Sequence, residues 1–338
     1  SSNLKEKIRM PITVAIFDRT LELIHERLDA LDLDIIIRPF NEDGWHAIDG
    51  IAVDPSEMAI DFFWLSANLS IGGTLAAAFE LVLACKSVGL VQTFNAGLDN
   101  PYYKKIADKG IPIHNSSAQA IAISEYVMAQ VLSLVQPVDL QKEQQGKKLW
   151  QRTPFRELSG MNWLIIGYGP IGQQIAKRVK AFGATTAVVR RTPETSDLVD
   201  AAGTMADLPK FLPQADVIVL ACSLNNDTRD FADEAFFGAI KEGALLVNIA
   251  RGALIVDSAL IKALDEDRLA TAVLDVFRQE PLPADDPLWS HPNIRLTPHT
   301  SFSGDGVNDR WQQLFFDNLT RLANGEALQG LVKPSDIT

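Results

Sequence analysis

The sequence predicts an α/β chain of two domains, one inserted into the other, and three observations carry that expectation. A short apolar strand at residues 163–166 runs straight into Gly167, Gly169 and Gly172, the spacing of a dinucleotide-binding turn. From residue 162 onward, six strand-like runs alternate with helical segments. Ahead of that point lies another alternating segment with no glycine fingerprint, and after His299 a last helix is long enough to cross back and pack on it.

Taken in order, residues 12–17 alternate and end at Asp18 as a first strand would, and residues 21–31 repeat apolar positions at helical spacing. Strand-like runs follow at 35–37, 58–65, 90–94 and 111–114. A helical run at 118–134 contains Glu125 and precedes a polar, lysine-rich stretch at 141–156; a helix there could bridge the domains. The second set of strands is expected at 164–166, 186–189, 217–221, 244–249, 270–275 and 294–296, followed by a helix at 307–323. Residues 10–117 with 300–338 then form a substrate domain, and residues 118–299 form the inserted dinucleotide-binding domain.

Composition sets limits on function. At 47% hydrophobic and 22% charged, the 338 residues suit two ordinary globular domains and exclude a disordered chain. A net charge of −12 disfavours nucleic acid or an anionic membrane as partner, because an acidic surface is repelled by both. The two cysteines, Cys85 and Cys222, lack metal-ligand spacing, so no metal site is expected and both read as buried thiols of a reducing cytoplasm. The apolar stretch at 71–91 contains Glu80 and Lys86 and reads as a core helix, not a membrane span. Polar residues 1–9 precede Met10, which is expected to be the natural start.

The glycines open a helix, so Gly167, Gly169, Pro170, Ile171 and Gly172 are the residues expected to face a pyrophosphate; the competing reading is a turn whose glycines serve sterics alone. A fold that selects NAD usually places an acid about 20 residues past the glycines to accept from the ribose. Here the second strand ends in Arg190, Arg191 and Thr192, and no acid occurs between Gly172 and Glu194. Two arginines suit a ribose 2′-phosphate, so NADP(H) is the expected cofactor, with NAD(H) possible; otherwise both are ordinary surface arginines.

Three later residues bear the groups that reduction of a 2-keto acid needs. Arg251 follows an apolar strand and can hold a carboxylate and polarise a carbonyl. His299 follows the final strand and can protonate an alkoxide, and Glu280 can orient its imidazole. Each taken singly has a bland reading: a surface arginine, loop solvation, a satisfied polar histidine.

From about Gln92 to about Leu328 the chain resembles the D-isomer-specific 2-hydroxyacid dehydrogenases, in the branch of NADPH-preferring glyoxylate/hydroxypyruvate reductases. The resemblance rests on the glycine turn, on Asn248-Ile249-Ala250-Arg251-Gly252, on Leu274-Asp275-Val276-Phe277 with Glu280-Pro281, and on Leu296-Thr297-Pro298-His299. It implies two Rossmann-like domains, the dinucleotide-binding one inserted into a flavodoxin-like substrate domain, and a homodimer with the helix from Ala118 as a contact. It also implies that Arg251 binds substrate, that His299 donates the proton with Glu280 as its partner, that Ala250, Asp275 and His299 lie at the cofactor with Asp275 on the nicotinamide amide, and that backbone N–H groups of Ala96 and Gly97 hold the substrate carboxylate. Ser124-Glu125-Tyr126 departs from the Ala-Glu-His often found in the family, a change expected to leave the chemistry untouched. Cys222-Ser223-Leu224-Asn225 replaces a frequent proline-containing turn. The substrate loop at Trp64 and Leu65 matches no one substrate, and Trp64 suits core as well as pocket wall; Trp289 and Phe302 are further candidates for shaping the pocket.

Two alternatives share this fold. The formate dehydrogenase branch places Gln where Glu280 stands, which counts against it. A nucleotide-sensing interaction protein, as among the C-terminal-binding-protein corepressors, keeps similar motifs and stays open.

Overall fold

In the computed structural model, which describes residues 11–337, the chain divides into two units, residues 11–118 with 308–337 and residues 119–307. Met10 and the residues before it lie outside the described part.

The first unit is built on a six-stranded sheet of β1 (Ile12–Phe17), β2 (Ile35–Asn41), β3 (Gly44–Trp45), β4 (Ala59–Leu65), β5 (Ser87–Thr93) and β6 (Ile113–His114). Their order is β3-β2-β1-β4-β5-β6, parallel except where β3 turns back on β2. With β3 set aside this is the flavodoxin-like order, whose switch point lies between β1 and β4. Strand alternation sorts the core: Phe63 and Leu65 join Phe17, Phe40 and Tyr103 in one cluster, while Phe62 and Trp64 join Val14 and Ile16 in another. The helix Val307–Asn324 completes that second cluster with Phe315, Phe316 and Leu319.

The second unit carries β7 (Asn162–Ile166), β8 (Thr185–Val189), β9 (Ala201–Gly203), β10 (Val217–Leu220), β11 (Ala244–Asn248), β12 (Leu269–Leu274) and β13 (Ile294–Leu296). The order is β13-β12-β11-β10-β7-β8-β9, and every pairing is parallel. Helices cover both faces, so β10 and β11 are buried along their whole length, which explains their unbroken apolar sequence.

Three expectations need correction. The helix Ala120–Val135 does not bridge the domains; Ile123, Val127 and Val131 pack with Trp163, Ile175 and Val179 inside the second unit. Residues 300–307 also belong to that unit, where Phe302 packs on the core and Gly304 abuts Ala122. Strands β3 and β9 are additions; Ala201-Ala202-Gly203 has no strand-like residues, and register with β8 alone makes it a strand. Among the described residues no single helix is long and apolar enough to cross a membrane.

Candidate active site

At the switch point between β7 and β10, the three glycines have three different reasons to be glycine. Gly167 has φ +104° and lies against the neighbouring strand's exit, so that a β-carbon would fall 2.5 Å from Ala221 and Cys222 backbone atoms. Gly172 lies inside the helix Pro170–Ala181, where a β-carbon would meet the Gly167 carbonyl oxygen at 2.3 Å. Gly169 is the exception: a β-carbon there would meet nothing within 4 Å, and no side chain caps the helix it opens. Sterics account for the first and third glycines. The open space at the second, facing a helix N-terminus, suits an approaching phosphate, so these residues fit a dinucleotide.

Arg190 is the first residue past β8 and is anchored through its N–H to the Gly203 carbonyl at 2.9 Å. Its guanidinium lies 5.5 Å from the centroid of the Tyr168 ring, within the glycine turn. Arg191 and Thr192 beside it are exposed. On the β10 side, Asn225 accepts from the Asp227 and Thr228 N–H groups at 2.9 and 3.0 Å and so shapes the turn that lacks the expected proline.

Arg251 stands on the loop after β11. Buried Asn248 shapes that loop, accepting from the Ala250 N–H at 3.1 Å and donating to the Arg251 carbonyl at 2.9 Å. Arg251 is half-buried, and its Nη1 donates to the Ala250 carbonyl at 2.7 Å. Gly252 is pressed against Phe277 and Arg278. The sequence reading gave Asn248 and Gly252 no task of their own, and only their place inside the Arg251 motif hinted at one.

Glu280 and His299 come together from the loops after β12 and β13. Glu280 Oε2 is 2.7 Å from His299 Nδ1, while Oε1 accepts from the Phe277 N–H at 2.9 Å. Partial burial pushes the Glu280 carboxyl up, but the His299 bond, the Phe277 N–H and the charges of His299 and Arg251 together hold it below its ordinary value. His299 has φ +48°, a left-handed backbone held by the bond from its N–H to the Asp275 carbonyl at 2.8 Å. The Phe302 ring stands edge-on to the imidazole, centroids 6.1 Å apart, while Trp289 is largely exposed.

Asp275, the residue expected on the nicotinamide amide, follows directly after β12. It is fully buried, and its carboxylate is taken up within the protein. Oδ1 accepts from Thr297 Oγ1 at 2.6 Å and from the Thr300 N–H at 2.9 Å, and Oδ2 accepts from the Ser301 N–H at 3.0 Å. The Tyr126 hydroxyl lies 2.6 Å from the same Thr297 Oγ1.

On the first unit, Ala96 and Gly97 follow β5, and the loop is braced by Asn115 Nδ2 to the Ala96 carbonyl at 2.9 Å and Asn95 Nδ2 to the Tyr103 hydroxyl at 2.8 Å. Trp64 and Leu65, expected at the substrate loop, are core residues of the first unit, which for Trp64 is the core alternative of the two. Trp64 is 3% exposed and stacks on Phe315 at 3.9 Å, and Leu65 is fully buried. Among the described residues, no group of three or more His, Cys, Asp or Glu could hold a metal ion. Burial raises the thiols of Cys85 to about 11 and Cys222 to about 12, which leaves both weakly reactive.

A doubly wound sheet with an open glycine cradle, and an Arg, Glu and His set along one edge, defines a dinucleotide-binding protein of dehydrogenase type. Residues 128–301 match the family model described as D-isomer specific 2-hydroxyacid dehydrogenase, NAD binding domain. The chain belongs to this family. It is 31% identical over 192 residues to a glyoxylate/hydroxypyruvate reductase A of Yersinia enterocolitica, a match covering 56% of this chain and 61% of that relative. A crystal structure of a D-isomer specific 2-hydroxyacid dehydrogenase family protein from Aeromonas salmonicida superposes with a TM-score of 0.75 at 29% identity, covering 96% of this chain and all of the other. The fold is shared as well with an NADPH-dependent glyoxylate/hydroxypyruvate reductase from Sinorhizobium meliloti in complex with NADP and sulfate, at a TM-score of 0.76, 21% identity and 98% coverage of this chain.

Proposed function

We propose that this chain reduces a small 2-keto acid of the glyoxylate or hydroxypyruvate type to its 2-hydroxy acid (the D isomer where the product is chiral), with NADPH preferred over NADH. The observation that carries the reading is the 2.7 Å pairing of His299 Nδ1 with Glu280 Oε2 on the sheet edge that also bears Arg251. With Nδ1 engaged, His299 is left to give a proton from Nε2 to the substrate oxygen, and Glu280 stabilises the charged imidazole beforehand. Arg251 binds the carboxylate and polarises the carbonyl. Bound at the glycine cradle, the nicotinamide cofactor supplies the hydride. Arg190 and Arg191 recognise the 2′-phosphate, which also accords with the NADP named for the Sinorhizobium meliloti structure.

The test is oxidation of NADPH and NADH by the purified protein against a panel of 2-keto acids, with His299→Ala alongside. Turnover with glyoxylate or hydroxypyruvate, faster with NADPH and lost in the variant, is the expected result. Near-normal turnover in the variant sinks the mechanism, and tight NADPH binding with no turnover of any keto acid favours a nucleotide sensor instead.

A further inference from the structure

We propose that Tyr126 is a positioning residue for the proton donor, acting through Thr297 and Asp275, all within one unit of the chain. The inference rests on the function proposed above and assigns a task to a position where the sequence departs from the family and where no effect on the chemistry was expected.

The argument is one of counting protons. Thr297 Oγ1 lies between two oxygens at 2.6 Å, the Asp275 carboxylate and the Tyr126 hydroxyl. A threonine hydroxyl has one proton to give, and it goes to Asp275, which collects donors and offers none. The Tyr126 hydroxyl must therefore be the donor in the second bond. Burial raises that hydroxyl to about 12, against the Thr297 hydrogen bond, which lowers it, and with a smaller raising effect of the Asp275 charge, so it keeps its proton throughout the working range. The order of donation is Tyr126 to Thr297 to Asp275.

The relay ends on the backbone of the proton donor's own loop. Asp275 accepts the N–H groups of Thr300 and Ser301, the two residues after His299, and its carbonyl accepts the His299 N–H at 2.8 Å. His299 sits at φ +48°, a conformation that a non-glycine residue keeps only when its surroundings impose it. Removing the outermost donor leaves Thr297 Oγ1 with an empty acceptor site in a partly buried position and loosens the carboxylate that imposes the left-handed turn. The expected consequence lies in the chemical step, because Arg251 and the glycine cradle are held by other contacts.

The experiment compares wild type with Tyr126→Phe, Thr297→Val, the double variant and Thr297→Ser. Tyr126→Phe is expected to lower kcat about tenfold while KM for the keto acid and for NADPH stay within about twofold, since a single polar contact to a positioned group has that weight. Thr297→Val should give a similar loss, the double variant no more than the larger single loss, and Thr297→Ser, which restores a hydroxyl, should recover most of it. In the cofactor-free protein, amide exchange at Thr300 and Ser301 should quicken in Tyr126→Phe with the global melting temperature kept, a readout independent of turnover. Full kcat in Tyr126→Phe, additive losses in the double variant, or unchanged exchange at Thr300 and Ser301 overturns the assignment. Absence of 2-keto acid turnover in wild type would instead refute the proposed function, and the exchange measurement would still decide the positioning role.

Discussion

Gly252 lies against the backbone of Phe277, where a β-carbon at position 252 would stand 2.0 Å from the Phe277 carbonyl carbon. The contact locks the loop carrying Arg251 to the loop carrying Glu280. Gly252→Ala must push them apart, and we expect it to lower stability by about 1–3 kcal/mol in urea unfolding. Its kcat/KM should fall further than that of a surface Gly→Ala control.

Glu280 serves as acceptor to both His299 and the Phe277 N–H. Glu280→Gln keeps the shape but removes the charge that stabilises an imidazolium, so kcat should drop about tenfold while the NADPH Kd, measured by fluorescence titration, barely moves. A variant with unchanged kcat would show that His299 works without this partner.

Arg190 is fixed at the end of β8 by its N–H to Gly203 and by its guanidinium over Tyr168. Charge-assisted bonds to a phosphate contribute about 1.5–3 kcal/mol each, so Arg190→Ala should weaken NADPH about ten- to hundredfold. NADH, lacking the 2′-phosphate, should bind nearly as before. Equal loss for both cofactors would remove the arginine from 2′-phosphate recognition.

Acid should weaken the second unit through Asp216. Its side chain is 3% exposed and accepts from the Asn162 N–H at 2.8 Å, from Arg156 at 2.7 Å and from Lys241 at 2.6 Å. Burial, the largest single influence, raises its pKa, but the three donors together outweigh it and the carboxyl lies below its ordinary value. A carboxyl depressed on folding stabilises the fold above the unfolded-chain value of about 3.9, and that contribution is lost as pH falls through the lower folded value. Asp216→Asn should therefore melt below wild type at pH 7, and the two melting curves should converge as the pH is lowered beneath about 4.

Most of the fold could be read from the chain because parallel strands buried on both faces leave unbroken apolar runs, as in β10 and β11, and because glycine spacing marks the switch point. Residues whose strand character comes from a neighbour were hidden, as with Ala201-Ala202-Gly203 beside β8. Trp64 shows the limit for side chains: it is the next-to-last residue of β4, near the ligand-bearing edge, yet period-two alternation turns it onto Phe315. Glu280 and His299 could be paired from their positions after successive strands. The Tyr126 contact could not, because Tyr126 and Thr297 lie 171 residues apart and nothing in either local pattern signals the other.

The left-handed backbone at His299 bears on how the site should be probed. Most replacements there alter two things at once, the acid and the ease with which the chain makes its turn. Ala and Gln lose the imidazole and also disfavour that backbone, whereas Asn visits it readily and carries no acid that gives up a proton at neutral pH. Rates from His299→Asn thus report the missing proton, and the difference between His299→Asn and His299→Ala measures how much the turn itself contributes to catalysis.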